Sequence, residues 1–462
     1  MHPHSPKLRL VFYGDDFTGS TDALEVLTAA GLRCALFLTP PSPELLEELG
    51  GFDAIGIAGD SRALSNAEMD EVLPEIFEAI KRLSPDIVHY KVCSTFDSAP
   101  DVGSIGHVIE LASCAFGVKG VPIIAGNPAL GRYCVFGNLF ALSKTDHGVH
   151  RIDRHPIMRA HPITPMGEGD LSVHIGRQKN LSIAKIDILQ LEQAADLASL
   201  VREAALCHDS VLIDGTTEAH MTLAGKVLTE ISSSKAPLFV VGSSGVEYGL
   251  TQHWHSVGLI DACQTQVTPL KPTRQVLVIS GSASPLSRAQ IDTAISSGFV
   301  ELSVDAAAII AESHKGGMVQ DVVAMALAHL KSERSVLIHT AKGPDDPRIE
   351  QMIEAMTAKG LLRDEAKIRG GKQLAVEMGY IVLEILKAYP LGRLVISGGD
   401  TSSQITKILD PDALVIKSDL SPGAPLCQVR SNKPYLDNLE IALKGGQMGD
   451  QDYFVKALTG RS

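Results

Sequence analysis

The stretch LRLVFYGDDFTGSTDALEVLTAAG, residues 8–31, holds the first repeat of the fold. Residues 8–13 are an apolar run of strand length. Residues 20–31 follow a helical pattern, with Ser20 or Thr21 as its cap and Gly31 as its stop. Between them lies a loop containing Asp15 and Asp16. Strand, polar loop and helix in this order are the opening unit of a parallel sheet.

The same rhythm continues on both sides of the first few turns. Strands are expected at 32–38, 53–59, 86–92 and 121–126, with helices over about 66–83 and 103–116. Residues 127–180 break the alternation and are rich in Gly, Pro, His and Arg, so they are expected to be irregular or a lid. Strands return at 211–215 and 237–242. Residues 265–275, with two prolines, read as a linker. The second half again alternates, with strands at 275–280, 336–341, 393–397 and 413–418 and the clearest helix over about 366–388. The expectation is an α/β protein of two domains, 1–267 and 268–462. Each is a mostly parallel sheet flanked by helices, and the active site is placed in the cleft between them.

Composition narrows the function. The chain has 462 residues and a formal net charge of −13, which argues against a nucleic-acid partner. No apolar run reaches the roughly 20 residues of a membrane span, and residues 1–10 carry no signal core, so a cytoplasmic location and no membrane partner are expected. Seven cysteines without a CxxC pair imply neither a zinc site nor a disulfide framework. A homodimer is compatible with the sequence but is not specified by it.

In open α/β sheets, ligands bind beyond the carboxyl ends of the strands. Asp15 and Asp16 follow the first strand and Arg62 the third. Lys91, Ser94, Thr95 and Asp97 follow the fourth, and Asn127 and Arg132 the fifth. Two readings of the Asp pair stand together: turn and cap residues, or groups that bind hydroxyls, accept a proton or help hold a divalent cation. Arg62 and Lys91 would balance them and grip a carboxylate or phosphate. Carboxylates for hydroxyls and cations for an acid describe a site for a small hydroxy acid.

The second half carries strand–Ser-Gly–helix turns at Ser280-Gly281-Ser282 and at Gly398-Gly399-Asp400-Thr401, with further glycine turns at 421–425 and 442–449. Small residues let backbone amides at a helix N-terminus approach phosphate, so a nucleotide with several phosphates is implied. Neither a P-loop motif nor a GxGxxG after a strand is present, which disfavours a nicotinamide-dependent reading. His147, His150, His155 and His161 lack metal-ligand spacing and read as solvated or hydrogen-bonded. Ser243 and Ser244 form a strand-to-helix turn facing the expected cleft, and Cys93 reads as a buried thiol.

YGDDFTGSTDA resembles the amino-terminal signature of the four-carbon acid sugar kinases. GDSRAL, YKVCSTFDSAPDVGSIG, VISGSASPLSRAQ, ISGGDTSSQI, SPGAP and LKGGQMGDQDYF follow in that family's order. The resemblance implies an amino-terminal domain for a short sugar acid and a carboxy-terminal domain for ATP, with Mg²⁺. The γ-phosphoryl group passes to a terminal hydroxyl. It implies that Ser280, Ser282, Gly398, Gly399, Asp400, Thr401 and Gly423 contact ATP. Asp15, Asp16, Arg62, Lys91, Ser94 and Thr95 would line the acid site, joined by Asn127 and Arg132 from their strand-end position, with Asp16, or else Asp15, taking the proton. The metal ligands are left open. Cys93 stands where the family pattern has Asp. This departure resembles the subgroup acting on a 3-oxo-isoapionate-like acid, as against tetronate or 3-oxo-tetronate. A non-catalytic regulator that binds a sugar acid is the alternative.

Overall fold

The computed structural model describes residues 7–143, 146–160, 164–232, 236–261, 267–312 and 316–461. The chain divides into two compact units, Met1–Gln266 and Val267–Ser462.

The first unit contains strands β1 (Leu10–Gly14), β2 (Cys34–Phe37), β3 (Ala54–Ala58), β4 (Ile87–Lys91), β5 (Val121–Ile124), β6 (Arg132–Val135), β7 (Asn138–Leu142), β8 (Val149–Arg151), β9 (Ile183–Ile186), β10 (Ser210–Ile213) and β11 (Leu238–Gly242). Eight of them form a parallel sheet in the order β2-β3-β1-β4-β11-β5-β10-β9. β1, β3 and β4 are buried along their whole length, as expected where helices cover both faces of a sheet; β1 and β3 are accordingly almost wholly apolar, whereas β4 also buries His89 and Lys91. Residues 127–180 are not irregular, as the lack of periodicity suggested. They hold the antiparallel β6-β7-β8 sheet and a helix, Leu171–Lys179. Their strands are three to five residues long and partly exposed, too short to print a pattern.

The second unit contains β12 (Leu277–Ser280), β13 (Val300–Ser303), β14 (Val336–His339), β15 (Arg393–Ser397), β16 (Ala413–Ser418), β17 (Leu426–Arg430) and β18 (Glu440–Lys444). Their order is β13-β14-β12-β15-β18-β17-β16, parallel except that β17 runs against both its neighbours. Val278, Leu337, Val395 and Ala442 from four neighbouring strands pack with Ile291, Phe299 and Phe454 into one buried core.

Both sheets reverse their winding direction. In the first, the chain passes from β3, on one side of β1, to β4 on the other. In the second, it passes from β14, on one side of β12, to β15 on the other. Loops diverge at such a point and leave a crevice beyond the strand ends. The registers are flush there: Gly14 pairs with Ala58 and Lys91, and Lys91 with Gly242. Ser280 pairs with His339 and Ser397, and Ser397 with Lys444.

Candidate active site

At the switch point of the first unit, the Asp15 amide donates to Lys91 O (2.9 Å) and the Arg62 amide to Asp15 O (3.1 Å), tying three strand ends together. The helix Phe17–Ala29 begins earlier than Ser20. Its N-cap is Asp16, whose Oδ1 accepts from the Gly19 amide at 2.7 Å, while the Ser20 hydroxyl donates back to Asp16 O at 2.7 Å. The expected Ser20 or Thr21 cap is therefore replaced by a carboxylate, which also suits the positive end of the helix. The other oxygen, Oδ2, is ion-paired with Arg62.

Arg62 is shared. Its Nη1 lies 3.7 Å from the buried Asp97, which also accepts from the Thr95 hydroxyl and from Thr164 Oγ1 (3.4 Å). Burial works against the guanidinium charge, but Asp15, Cys93 and Asp97 outweigh it and hold its pKa up. Asp15 is buried and its Oδ1 has no hydrogen-bond partner. Burial pushes its pKa up in spite of Arg62 and Lys91. A Cβ at Gly19 would fall 2.1 Å from Lys91 Nζ and 2.3 Å from Asp16 Oδ1, so ammonium and carboxylate converge on a bare α-carbon. Ser94 is half-buried beside Thr95, and Cys93 Sγ lies 3.0 Å from Thr95 Oγ1, its thiol pKa raised by burial.

Arg132 and Asn127 form a second cluster. They exchange backbone hydrogen bonds of 2.9 and 3.0 Å, and Asn127 Nδ2 donates to Ser244 Oγ at 3.0 Å. Asn127 Oδ1 and Arg132 Nε are both buried without a partner. Arg132 Nη1 donates only to the carbonyls of Leu130, Gly131 and Leu142, and no described carboxylate pairs with it. Burial lowers its pKa, opposed by the neighbouring Cys93. Thus Arg62 is already neutralised, whereas Arg132 is a cation without an anion.

Among the other histidines singled out, His150 bonds to Asp146 (2.9 Å) and His155 Nδ1 accepts from the amides of Ile157 and Met158. His161 lies outside the described residues. No group of three or more described His, Cys, Asp or Glu residues is arranged to hold a metal ion.

In the second unit, the helices Pro285–Ser296 and Gly399–Leu409 start at adjoining loops. The Gly281 amide donates to Ser397 O (3.0 Å) and the Gly398 amide to Lys444 O (2.9 Å). Gly398 has φ +120°, a conformation reserved for glycine, and a Cβ there would meet Thr401 Oγ1 at 3.0 Å and the Ser282 amide nitrogen at 3.3 Å. Thr401 also packs against Gly281, Gly399 is half-buried, and Asp400 stands exposed in the first helical turn. Gly423, at φ +72°, faces Met448, and the bare Gly446 sits against Ser282 Oγ. Ser280 Oγ is buried with no partner. Convergent helix N-termini, glycines at every close approach and an orphaned hydroxyl are what a phosphate chain requires. Gly446, whose carbonyl accepts from Ser284 Oγ at 2.6 Å, and Lys444 belong to this cradle, although the sequence marked that segment only as a glycine turn.

Residues 10–250 match the family model for a sugar-binding N-terminal domain, and residues 277–454 match that for a nucleotide-binding C-terminal domain. The chain belongs to the four-carbon acid sugar kinase family. It is 40% identical over 457 residues to the 3-oxo-isoapionate kinase of Paraburkholderia graminis, covering 98% of this chain and 95% of the relative. It is 27% identical over 460 residues to a 3-oxo-tetronate kinase of Pseudomonas fluorescens (98% and 97% covered). The corresponding figure is 25% over 459 residues for the D-threonate kinase of Salmonella typhimurium (98% of each). Solved proteins of Salmonella typhimurium LT2 (TM-score 0.74, 23% identity) and Haemophilus influenzae (TM-score 0.69, 21% identity) share the family's two-domain α/β fold over 97% of this chain and 98% of theirs.

Proposed function

We propose that this chain is a kinase that transfers the γ-phosphoryl group of ATP to a terminal hydroxyl of a short sugar acid. The acceptor class is 3-oxo-isoapionate-like, with tetronate and 3-oxo-tetronate the nearest alternatives. Residues 1–267 would hold the acid and residues 268–462 the nucleotide, in the cytoplasm. The observation that carries the reading is the pair of strand-end sites: a carboxylate and cation rim in one unit and a glycine cradle with an orphaned Ser280 hydroxyl in the other. The 40% identity to a 3-oxo-isoapionate kinase supports the acceptor class.

Each residue has a task in this scheme. Asp16 is the less buried of the Asp pair and can touch the acceptor hydroxyl, so it takes the proton, with Asp15 as the second candidate. Arg62 orients Asp16. Arg132, free of carboxylates, and Lys91 grip the acid group. Asn127, Ser94 and Thr95 are positioned to bind hydroxyls or the 3-oxo group. Ser280, Ser282, Gly398, Gly399, Asp400, Thr401 and Gly423 surround the phosphates. Magnesium ion fits a donor set in which the nucleotide's own phosphates supply most ligands, with Asp400 an exposed carboxylate in the first turn of the cradle helix; when bound it would neutralise phosphate charge.

The test is an ADP-release screen over four- and five-carbon sugar acids and their 3-oxo and branched forms, with and without Mg²⁺. ADP formation dependent on one acid class is expected. Tight binding of an acid with no ADP release from any of them would make the chain a binding module and overturn the proposal.

A further inference from the structure

Lys444 ends β18 and is fully buried. Its Nζ donates to Ser397 Oγ at 2.9 Å and sits 5.9 Å from the ring centres of Tyr453 and Phe454. No described carboxylate lies within ion-pair distance of it. An ammonium buried without a counter-charge is strongly disfavoured, so such a residue needs a reason to be there.

The reason is its row. Ser280, Ser397 and Lys444 are in-register neighbours on β12, β15 and β18, and each is the last strand residue before a glycine loop of the cradle. Those loops are pinned to one another by the Gly281 and Gly398 amides and by the Ser284–Gly446 bond. The Ser280 hydroxyl on the same row is unsatisfied. The row is therefore a polar floor directly beneath the loops, carrying a positive charge that no described carboxylate balances.

We propose that Lys444 is the buried counter-charge for the nucleotide's phosphates, acting from beneath the cradle through Ser397 as a positioning residue. This rests on the nucleotide reading above. Charged groups near it are otherwise engaged or outward. Asp400 is exposed, Arg288 binds Lys342 O and Asp345, and the Tyr453 hydroxyl donates to Ala424 O. Burial alone pulls the Lys444 pKa down to about 8. Near that pH a fraction of the amines is neutral, and an arriving polyphosphate draws a proton from the buffer onto Nζ.

The experiment is calorimetric titration of the full chain with MgADP at pH 8 in two buffers of different ionisation enthalpy, with affinities followed from pH 7 to 9.5. Wild type is expected to take up about half a proton near pH 8, and its affinity to fall up to tenfold per pH unit above it. K444M, checked by a cooperative melt, should bind ten- to a hundredfold more weakly with no uptake. S397A, which keeps the amine, should retain uptake, which separates the charge from the packing. Binding without uptake in wild type, or an unchanged pH profile in K444M, overturns the proposal while leaving the nucleotide reading intact. Failure of wild type to bind ADP overturns both.

Discussion

Replacing Asp16 by asparagine separates its two jobs. The cap to the Gly19 amide at 2.7 Å survives, because asparagine caps about as well as aspartate. The ion pair with Arg62 is lost, but both side chains are partly exposed and Arg62 keeps Asp97, so the stability cost is about 1 kcal/mol or less. That is a fall of a few degrees in Tm. If Asp16 accepts the proton, kcat falls by about 10²–10⁴. Nucleotide affinity should not move, because the cradle contains no part of this loop. The matched control is Asp15→Asn. Asp15 holds its proton to a higher pH folded than unfolded, so its ionised form weakens the fold as pH rises through the ordinary carboxylate range toward the folded pKa. Asparagine mimics the protonated form, so D15N should gain on wild type in Tm as pH rises above the ordinary carboxylate range. The assay is steady-state ADP release with parallel melts. D16N turning over at the wild-type rate refutes the assignment, and loss of turnover confined to D15N transfers the role to Asp15.

Gly398→Ala places a side chain at φ +120° and should weaken ADP binding at least tenfold by calorimetry while leaving the KM for the acid unchanged. Arg132→Ala should raise the acid's KM ten- to a hundredfold with ATP KM constant, and should lose most of its effect on an acceptor whose carboxylate is replaced by an amide. Gly19→Ala would wedge Lys91 from Asp16 and should reduce kcat/KM for the acid without touching ADP affinity. Lys444→Met should raise Tm most below pH 8, where the folded wild type carries a charge that burial opposes. The gain, up to about 3 kcal/mol, should fade as pH rises from 8 to 10.5 in melts across that range, because unfolded lysine sheds its proton only there.

The rim was readable because parallel strands end flush: once Leu10–Gly14, Ala54–Ala58 and Ile87–Lys91 are recognised as strands, the residues after them share an edge. The cap of the first helix was not. Local periodicity starts the helix at Ser20, yet Phe17 finds a buried place under it and moves the start back to Asp16. Residues 127–180 concealed a three-stranded sheet for a similar reason: its pairings, not its side-chain pattern, define it. Which cation is free was also invisible, since Arg62 finds Asp16 and Asp97 across 46 and 35 positions of chain, whereas Arg132 finds only carbonyls.

The two sites solve opposite electrostatic problems with the same geometry. At the first switch point three carboxylates, Asp15, Asp16 and Asp97, face Arg62 and Lys91, so a further anion is attracted most strongly where the balance turns, at Arg132. In the proposed scheme that would confine an acid to one end of the rim and leave its hydroxyl end to the aspartates. At the second switch point no described carboxylate enters the cradle floor; backbone amides and one buried ammonium leave it short of negative charge. A phosphate chain is better matched to the second arrangement, and a hydroxyl that must lose a proton is better matched to the first. If the acid's affinity proves to depend on Arg62 as strongly as on Arg132, this division of charge is wrong. The acid would then have to displace Asp16 from its ion pair before reaction.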